Sequence, residues 1–312
     1  MGFESLHEPR FLRENRVAVS NKVVSWKAND KRSITPLDGT ELQEVPQEIY
    51  IPRLDGPFWN PSYTLTAAWY DSSDLSTIVS SGGVVSRLND KSDNDAYILA
   101  DAGFRPATGT RTLNDLNILD FSYGDWMYSG NTNMQTPSDG TFMVFCVAQM
   151  DPKVYPGILA GGMYALFNQA TPTTYITVAP YSTTTDFNGL TIFRSEQGIF
   201  GDPYQNPPHN GPSIYGITKK PNDGFENFVD GTDVYPDMSL DVWTAKVLDS
   251  LWIGRSKYIP ASYIDMGFAE FVVCPINDET IRQKMEGYLA HKWGFAANLP
   301  TTHPYRENRP TV

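Results

Sequence analysis

Short apolar runs recur along most of the chain, and segments rich in turn-forming residues separate them. From Leu65 onward the runs are strand-length and rich in β-branched or aromatic residues, while the spacers carry Gly, Pro, Asn, Asp or Ser. The runs are LTAAWY, TFMVFCVAQM, GILAGG, TYITVAP, GLTIFR, SIYGIT, FENFVDGT, SLWIGRS and MGFAEFVVCPI. Many short strands without helices between them predict an all-β sandwich or barrel. Because nearly every position of TFMVFCVAQM is apolar, this run is predicted to be a central strand covered on both faces.

One segment, 277–293, has the period of an amphipathic helix. Its apolar residues follow i, i+4, i+7 and i+8 spacing and predict one buried stripe: Ile281, Met285, Tyr288, Leu289 and Trp293. The charged residues predicted to lie off this stripe are Arg282, Glu286 and Lys292. Asn277 is the expected N-cap and Gly294 the expected terminator. The helix is therefore expected to pack on the sandwich.

The residues after the helix, 294–312, are punctuated by prolines that cannot continue a helix. This pattern predicts an extended strap over the sandwich. Within the helix, Gly287 costs about 1 kcal/mol relative to Ala, which is tolerable where a strand or an aromatic residue approaches the backbone closely. Tyr288 and Trp293 are expected to be core anchors.

Residues 1–60 differ from the rest of the chain, because charges of both signs are dense and apolar stretches are short. The stretch 18–26, AVSNKVVSW, predicts one strand, and prolines interrupt the segment that follows it. Two interpretations remain open for 1–60. It is either an extended arm that docks on a partner, or a subdomain packed on its own chain. The main domain is placed at 61–312.

The 312 residues carry 24 Lys and Arg against 36 Asp and Glu, a formal net charge of −12. This charge repels phosphate backbones and anionic membrane surfaces, so nucleic acid is not an expected partner. No apolar run approaches the roughly 20 residues of a membrane-spanning helix. The first residues lack the apolar segment of a secretory signal, and maturation in a reducing cytoplasm is expected. The two cysteines, Cys146 and Cys274, lie in apolar runs and are expected to be buried thiols.

Three stretches together resemble a known family. They are AWYDSSDLSTIVSSGGVVSRLNDKSDNDAY, RPATGTRTLNDLNILDFSYGDWM and MGFAEFVVCPINDETIRQKMEGYLAHKWGFAANLPTTHPY. Together they resemble the LamG-like, concanavalin A-like jelly-roll domains of bacteriophage structural proteins and of surface proteins of aquatic bacteria. The resemblance spans about Thr66 to Tyr305. It implies a jelly-roll sandwich closed by the strand at 268–275, with the C-terminal helix docked against that strand.

Glycan hydrolases occur among jelly-roll proteins, and many carry Glu-x-Asp-x-x-Glu on one strand so that the carboxylates share a cleft face. That motif is absent. Asp223, Glu226 and Asp230 are spaced by three and four residues, which does not keep them on one strand face. The four histidines are scattered, with neither a nearby nucleophile nor metal-ligand spacing: His7, His209, His291 and His303. The protein is predicted not to be an enzyme.

The turn NDKSDNDAY concentrates hard oxygen ligands, with Asp90, Asp93 and Asp95 as candidate ligands for calcium. It has no EF-hand register and no terminal bidentate Glu. A solvated polar turn is the alternative interpretation, and no cofactor other than calcium is expected.

Aromatic residues in two loops are candidates for sugar binding, because the apolar face of a sugar stacks on a ring. The first loop contains Trp126 and Tyr128, and the second contains Phe200, Tyr204 and His209. The alternative is that Trp126 and Tyr128 belong to a strand that faces the core, and that the second loop makes subunit contacts.

Three functions are compared. The first is a non-enzymatic structural protein of a phage virion, as a capsid decoration, vertex or tail component, located in the virion after assembly in the host cytoplasm. In this hypothesis residues 1–60 dock on other virion proteins, the protein is a homo-oligomer, and the jelly roll contacts host glycan. The second is a carbohydrate-binding adhesin of a cell surface, and the third is a polysaccharide hydrolase.

Overall fold

The computed structural model describes residues 15–19, 22–26, 35–36, 57–151, 162–171, 175–182, 187–194, 198–200, 211–220, 224–234, 247–257 and 263–312. The chain divides into two compact units, Met1–Leu54 and Asp55–Val312. In the first unit, β1 (Asn15–Val19), β2 (Lys22–Trp26) and β3 (Thr35–Pro36) form an antiparallel sheet. The prediction of a single strand over 18–26 is wrong, because Val19 pairs with Lys22 across a hairpin.

In its described residues the second unit has seventeen strands and one α-helix. The first strands are β4 (Ala68–Asp71), β5 (Ile78–Ser81), β6 (Val84–Asn89), β7 (Tyr97–Leu99), β8 (Ala107–Leu113), β9 (Leu116–Phe121), β10 (Met127–Ser129) and β11 (Phe142–Met150). The others are β12 (Tyr164–Phe167), β13 (Tyr175–Ser182), β14 (Phe187–Arg194), β15 (Gly198–Phe200), β16 (Pro212–Lys219), β17 (Phe225–Val229), β18 (Thr232–Asp233), β19 (Ser250–Ile253) and β20 (Met266–Cys274). The helix α1 (Glu279–Trp293) follows the last strand. Of the predicted strand GILAGG, at 157–162, all but the last residue lies outside the described residues.

All strand pairs are antiparallel and they form two layers. The first layer has the order β18-β17-β16-β11-β20, and β4 and β9 share the far edge of β20. The second has the order β5-β6-β7-β10-β19-β12-β13-β14-β15. Strand β8 pairs with β9 and with β6, and so connects the layers. The layers meet in one core, where the rings of Tyr164 and Phe271 lie 5.1 Å apart. The predicted all-β sandwich is confirmed.

Strand β11 is covered on both faces, as its uninterrupted apolar sequence predicts. Phe142, Val144 and Cys146 point into the core between the layers. The alternate residues Met143 and Phe145 point to the opposite side, where they pack against α1. Both cysteines are free thiols buried in these two cores. Neither face of this strand is therefore available to a ligand.

Helix α1 begins one residue later than predicted. Its N-cap is Asp278, whose carboxylate accepts a hydrogen bond from the backbone N–H of Ile281 at 2.9 Å. The assignment of Asn277 as the cap is wrong, because a carboxylate satisfies that N–H and also complements the positive end of the helix dipole. Gly294 ends the helix with a left-handed φ of 86°, which confirms the predicted terminator. No described helix is long and apolar enough to cross a membrane.

The charged residues predicted off the apolar stripe have different environments: Lys292 pairs with Asp71 and Glu270 of the first layer, whereas Glu286 lies beneath the strap 294–312. Glu286 is fully buried, its Oε1 accepts from Arg282 Nη1 at 2.5 Å, and its Oε2 lies 3.1 Å from His303 Nε2 in the strap. Gly287 has the close aromatic approach that the sequence predicts, because an added Cβ would lie 2.4 Å from the Cβ of Tyr305. The strap thus covers the helix, and the helix covers the first layer.

The segment before β4 pairs with the end of the strap. Phe58 forms an antiparallel bridge with Thr311, and the Trp59 N–H donates to the carbonyl of Pro310 at 2.9 Å. The Trp59 side chain is only 3% exposed and packs in the cluster beneath α1. The domain boundary that the sequence places at residue 60 therefore falls inside the second compact unit.

Candidate functional site

The outer surface of the second layer carries a cluster of aromatic and cationic side chains. On β10 and β19 the side chains of Met127, Leu251 and Ile253 point into the core. Since side chains alternate along a strand, Trp126, Tyr128 and Trp252 point outward, and they are half-buried. We define the aromatic face by these residues and the cationic and aromatic groups in contact with them: Trp126, Tyr128, Phe167, Trp252, Arg255 and Lys257.

The rings of the aromatic face hold one another in place. The Trp126 and Trp252 ring centroids lie 5.3 Å apart with an interplanar angle of 71°, and the Trp252 and Phe167 centroids also lie 5.3 Å apart. Tyr128 lies 5.0 Å from Trp126, with its ring inclined by 34°. Edge-to-face packing of this kind is favourable for aromatic pairs. The face is therefore a preformed platform that needs little ordering when a ligand arrives.

Two cations lie on these rings. The Arg255 guanidinium carbon is 4.5 Å from the Trp126 centroid and 4.9 Å from that of Trp252. The Lys257 ammonium is 4.2 Å from the Trp252 centroid and 4.3 Å from that of Phe167. All four distances are within the range of cation–π attraction. One indole, that of Trp252, thus contacts both positive groups.

Arg255 and Lys257 differ from other cations of the described residues in their electrostatic partners. Within the described ranges, no carboxylate forms an ion pair with Arg255 or Lys257, whereas Lys91 is paired with Asp71 at 2.8 Å. The Nε of Arg255 is buried and makes no hydrogen bond. Burial lowers the pKa of Lys257, and the positive charge of the neighbouring Arg255 lowers it further. Among the described residues, the positive charge of the aromatic face is therefore not compensated by a paired carboxylate.

Local turns place the residues of the aromatic face. Gly254 has a left-handed φ of 82°, and an added Cβ would lie 2.8 Å from the carbonyl oxygen of Asp125. Only glycine fits this close approach, which turns the chain so that Arg255 returns over Trp126. The Trp126 N–H donates to the carbonyl of Phe104 at 3.0 Å, which holds that residue at the entry to β10. The hydroxyl of Tyr128 donates to Asp101 at 2.8 Å.

The structure brings together two of the five predicted sugar-binding residues, Trp126 and Tyr128, on the outer face of a strand and not in the core. Phe200 ends β15, and its side chain lies outside the described residues, as do Tyr204 and His209. The prediction that these three bind a ligand stays a prediction.

Sequence reasoning missed the other half of the face: Phe167, Trp252, Arg255 and Lys257. A signal for them exists in SLWIGRSK, where Trp252 stands between two core residues and the cations follow a glycine. Alternation places that tryptophan outside, but nothing in the sequence indicates that β19 pairs with β10. The cluster forms only through that pairing.

In the predicted calcium turn, the carboxylate oxygens of Asp90 accept hydrogen bonds from the protein itself. Asp90 Oδ1 accepts from the backbone N–H groups of Trp69 at 2.5 Å and Ser92 at 3.0 Å, and its second oxygen accepts from the Ser92 hydroxyl. Asp93 and Asp95 are exposed. In the part of the chain that the structure describes, no three His, Cys, Asp or Glu side chains come together as a group that could hold a metal ion. Asp90 acts here as a turn residue that ties the loop to β4.

The carboxylates considered for hydrolysis occupy separate environments. Glu226 pairs with Lys220 at 3.2 Å at the surface. Asp230 is buried, and its Oδ1 accepts from the backbone N–H of Ile214 at 2.8 Å. Asp223 lies outside the described residues. The prediction that the protein is not an enzyme stays a prediction.

A buried charge network joins the first layer to α1. Opposite Val147 and Ala148, β20 has one extra residue, and the resulting bulge turns Glu270 toward the helix. The Glu270 carboxylate is fully buried and accepts four hydrogen bonds, from Trp69 Nε1 at 2.6 Å, Lys292 Nζ at 2.7 Å, Trp293 Nε1 at 2.8 Å and the Tyr288 hydroxyl at 3.0 Å. Burial raises the pKa of Glu270 despite the nearby Lys292. All its partners are internal, so the network holds the helix in place.

Comparison with known proteins shows no matching family model and no matching curated protein. Three solved structures share part of the fold. Trypanosoma rangeli sialidase has 9% identity, with 69% of this chain and 31% of that chain covered and a TM-score of 0.44. Domain 4 of a GH43 extracellular arabinanase from Geobacillus stearothermophilus, in complex with arabinotriose, has 10% identity, coverage of 67% and 91%, and a TM-score of 0.45. The binding domain of botulinum neurotoxin DC, in complex with rat synaptotagmin II, has 11% identity, coverage of 74% and 52%, and a TM-score of 0.46.

This chain spans less than a third of the sialidase chain. At these identities and TM-scores, the likenesses assign neither a family nor a function to it.

Proposed function

We propose that this protein is a non-enzymatic structural protein of a bacteriophage virion whose sandwich binds glycan through the aromatic face. The virion half of the proposal is supported by the sequence resemblance to phage jelly-roll proteins. The glycan half is carried by one observation, the half-buried platform of Trp126, Tyr128 and Trp252 flanked by Arg255 and Lys257.

The chemistry of the platform suits a sugar. The apolar C–H face of a pyranose stacks on an indole or phenol ring, and nearby polar groups set its orientation. Here the exposed parts of the half-buried Trp126, Tyr128 and Trp252 rings provide the stacking surface, while Arg255 and Lys257, which lie over the indoles, provide donors for ring hydroxyls or charged groups. Because the rings are held by one another, little conformational entropy is lost on binding.

The position of the platform also suits a sugar. Helix α1 packs against the outer side of the first layer. The aromatic face lies on the outer side of the second layer, and among the described helices none packs there. A glycan chain would therefore approach the sandwich from the side opposite the helix.

A glycan array with the full-length protein and host surface polysaccharides tests the glycan half. We expect the affinity for glycan to fall about tenfold or more in Trp252→Ala and in Trp126→Ala, since stacking on a half-buried indole contributes much of the affinity. Tyr63→Ala removes an aromatic ring that is 47% exposed elsewhere, and it serves as the matched control. Thermal unfolding shows that each variant is folded. Absence of binding to any host polysaccharide, or wild-type binding by both tryptophan variants, would contradict the proposal.

A mass-spectrometric inventory of purified particles, with copy numbers, tests the virion half. Hundreds of copies indicate a capsid decoration, and a few to a dozen indicate a vertex or tail component. In this proposal residues 1–60 dock on other virion proteins and the chain is a homo-oligomer. Absence from particles together with glycan binding would favour a cell-surface adhesin. Release of reducing ends from host envelope polysaccharide would instead favour the hydrolase.

A further inference from the structure

We infer that the aromatic face selects anionic polysaccharide, with Arg255 and Lys257 binding an acidic group of the sugar that stacks on Trp126 or Trp252. This inference rests on the proposed glycan-binding function and names its ligand class. The shared chemistry is a fixed negative charge on a sugar ring, which either a carboxylate or a sulfate can supply.

The first reason is that neither cation has a carboxylate partner among the residues that the structure describes. Elsewhere in the sandwich, Arg111 pairs with Asp120 and Asp151 at 3.2 and 2.7 Å, and Lys292 pairs with Glu270 at 2.7 Å. By contrast, Arg255 makes neither an ion pair nor a hydrogen bond to any described residue. In a chain with a net charge of −12, acidic side chains are abundant, so this lack of compensation is a local property of the site.

The second reason is that the two cations lie against the same ring. Both lie within 5 Å of the Trp252 ring, at 4.9 Å for Arg255 and 4.2 Å for Lys257. Two like charges on one indole repel each other, and partial burial weakens the screening by water. The same repulsion contributes to the lowered pKa of Lys257. A bound anion would relieve this repulsion, whereas a neutral sugar would not.

The third reason is the geometry of the arginine. The Arg255 guanidinium carbon lies 4.5 Å from the Trp126 centroid, and its Nη groups have no hydrogen-bond partner among the described residues, so they can donate to oxygens of a carboxylate or sulfate. Lys257 adds a second positive charge, with its ammonium 4.2 Å from the Trp252 centroid. Asp101 accepts from the Tyr128 hydroxyl at 2.8 Å and would repel an anion at that end. The acidic group is therefore expected beside Trp252, and a neutral part of the glycan beside Tyr128.

Binding of matched oligosaccharide pairs to the full-length protein, measured by isothermal titration calorimetry, tests this inference. The carboxylate pair is oligogalacturonate and its carboxyl-reduced form, and the sulfate pair is dextran sulfate and dextran. We expect at least one anionic probe to bind tenfold or more tightly than its neutral partner, with an affinity that decreases as salt increases. The pair that shows the difference identifies the anionic group.

Variants then assign the effect to the two cations. Arg255→Gln is expected to weaken the anionic probe about tenfold or more, because a charge-assisted hydrogen bond is lost, and Arg255→Lys is expected to restore part of the affinity. Lys257→Gln is expected to weaken it less. Arg309→Gln is the matched control, since Arg309 also lies over a ring, that of Phe58, at 5.1 Å. Thermal unfolding of each variant shows that the sandwich is intact.

Different outcomes would overturn the anionic preference alone or the proposed glycan binding as well. Equal binding of neutral and anionic probes, or wild-type affinity in Arg255→Gln, would overturn the anionic preference while the proposed glycan binding stands. Failure of every probe here and of every host polysaccharide on the array would overturn both.

Discussion

Replacing Gly287 by alanine tests whether the strap is seated on α1. In an exposed helix this change stabilises by about 1 kcal/mol, because alanine has the higher helix propensity. Here the added Cβ would lie 2.4 Å from the Cβ of Tyr305, 3.0 Å from its Cγ and 3.3 Å from Pro310 Cδ. Carbon atoms in good contact are about 3.5–4.0 Å apart, so the strap would have to retreat by roughly 1 Å.

The strap has little freedom to retreat. His303 Nε2 lies 3.1 Å from Glu286, Lys284 Nζ donates to the carbonyl of Thr311 at 3.1 Å, and Trp59 donates to Pro310 at 2.9 Å. Overpacking of this kind costs about 1–3 kcal/mol. After the gain in helix propensity is subtracted, we expect Gly287→Ala to lower the free energy of unfolding by up to about 2 kcal/mol.

Urea unfolding of the full chain, with linear extrapolation, measures this change. Tyr305→Gly removes the clashing Cβ, so in that background Gly287→Ala is expected to be stabilising. Tyr305→Ala is the matched control, because it removes the ring and keeps the Cβ, and there the substitution stays unfavourable. A coupling of about 0.5–3 kcal/mol is typical of residues in contact. A more stable Gly287→Ala protein in the wild-type background would refute the reasoning.

Three further predictions concern the first layer and its cover. Glu270→Ala leaves two buried indole N–H groups without their acceptor and leaves Asp71 as the carboxylate partner of Lys292, so urea unfolding should show a loss of about 3–5 kcal/mol. The loss should be smaller for Glu270→Gln, and equal losses would contradict the charged network. Burial opposes ionisation of Asp71, but Lys292 and Lys91 outweigh it and lower its pKa, so its stabilisation is complete above pH about 4 and is lost in more acidic solution. The stability difference between wild type and Asp71→Asn should therefore shrink as the pH falls below about 4, and a constant difference would contradict this. A fragment 55–312 should fold and be more stable than a fragment 61–312 by about 3–5 kcal/mol, because the shorter fragment loses the buried Trp59. Equal melting temperatures of the two fragments would show that Trp59 does not stabilise the core.

The pattern of apolar residues by itself determined the β class, the two-sided burial of β11 and the existence of α1 with its stop at Gly294. These features depend on local propensity and on hydrophobic periods of 2.0 and 3.6 residues, both of which can be recognised within a short stretch of sequence. The same local information indicated that Trp126 and Tyr128 have a binding role, but left open whether they face solvent or the core. Their outward position follows only once Met127, the residue between them, is known to point inward.

The other features were decided by contacts between residues distant in sequence. Glu286 is buried because the strap returns over the helix, and Glu270 is buried because a bulge turns it toward four donors. The aromatic face joins Trp126 to Trp252 through the pairing of β10 with β19, more than a hundred positions apart. Such pairings depend on how the hydrophobic surfaces of whole layers fit together. The sequence thus indicated two aromatic residues of the face, and only the tertiary structure placed beside them Trp252 and two cations that have no carboxylate partner among the described residues.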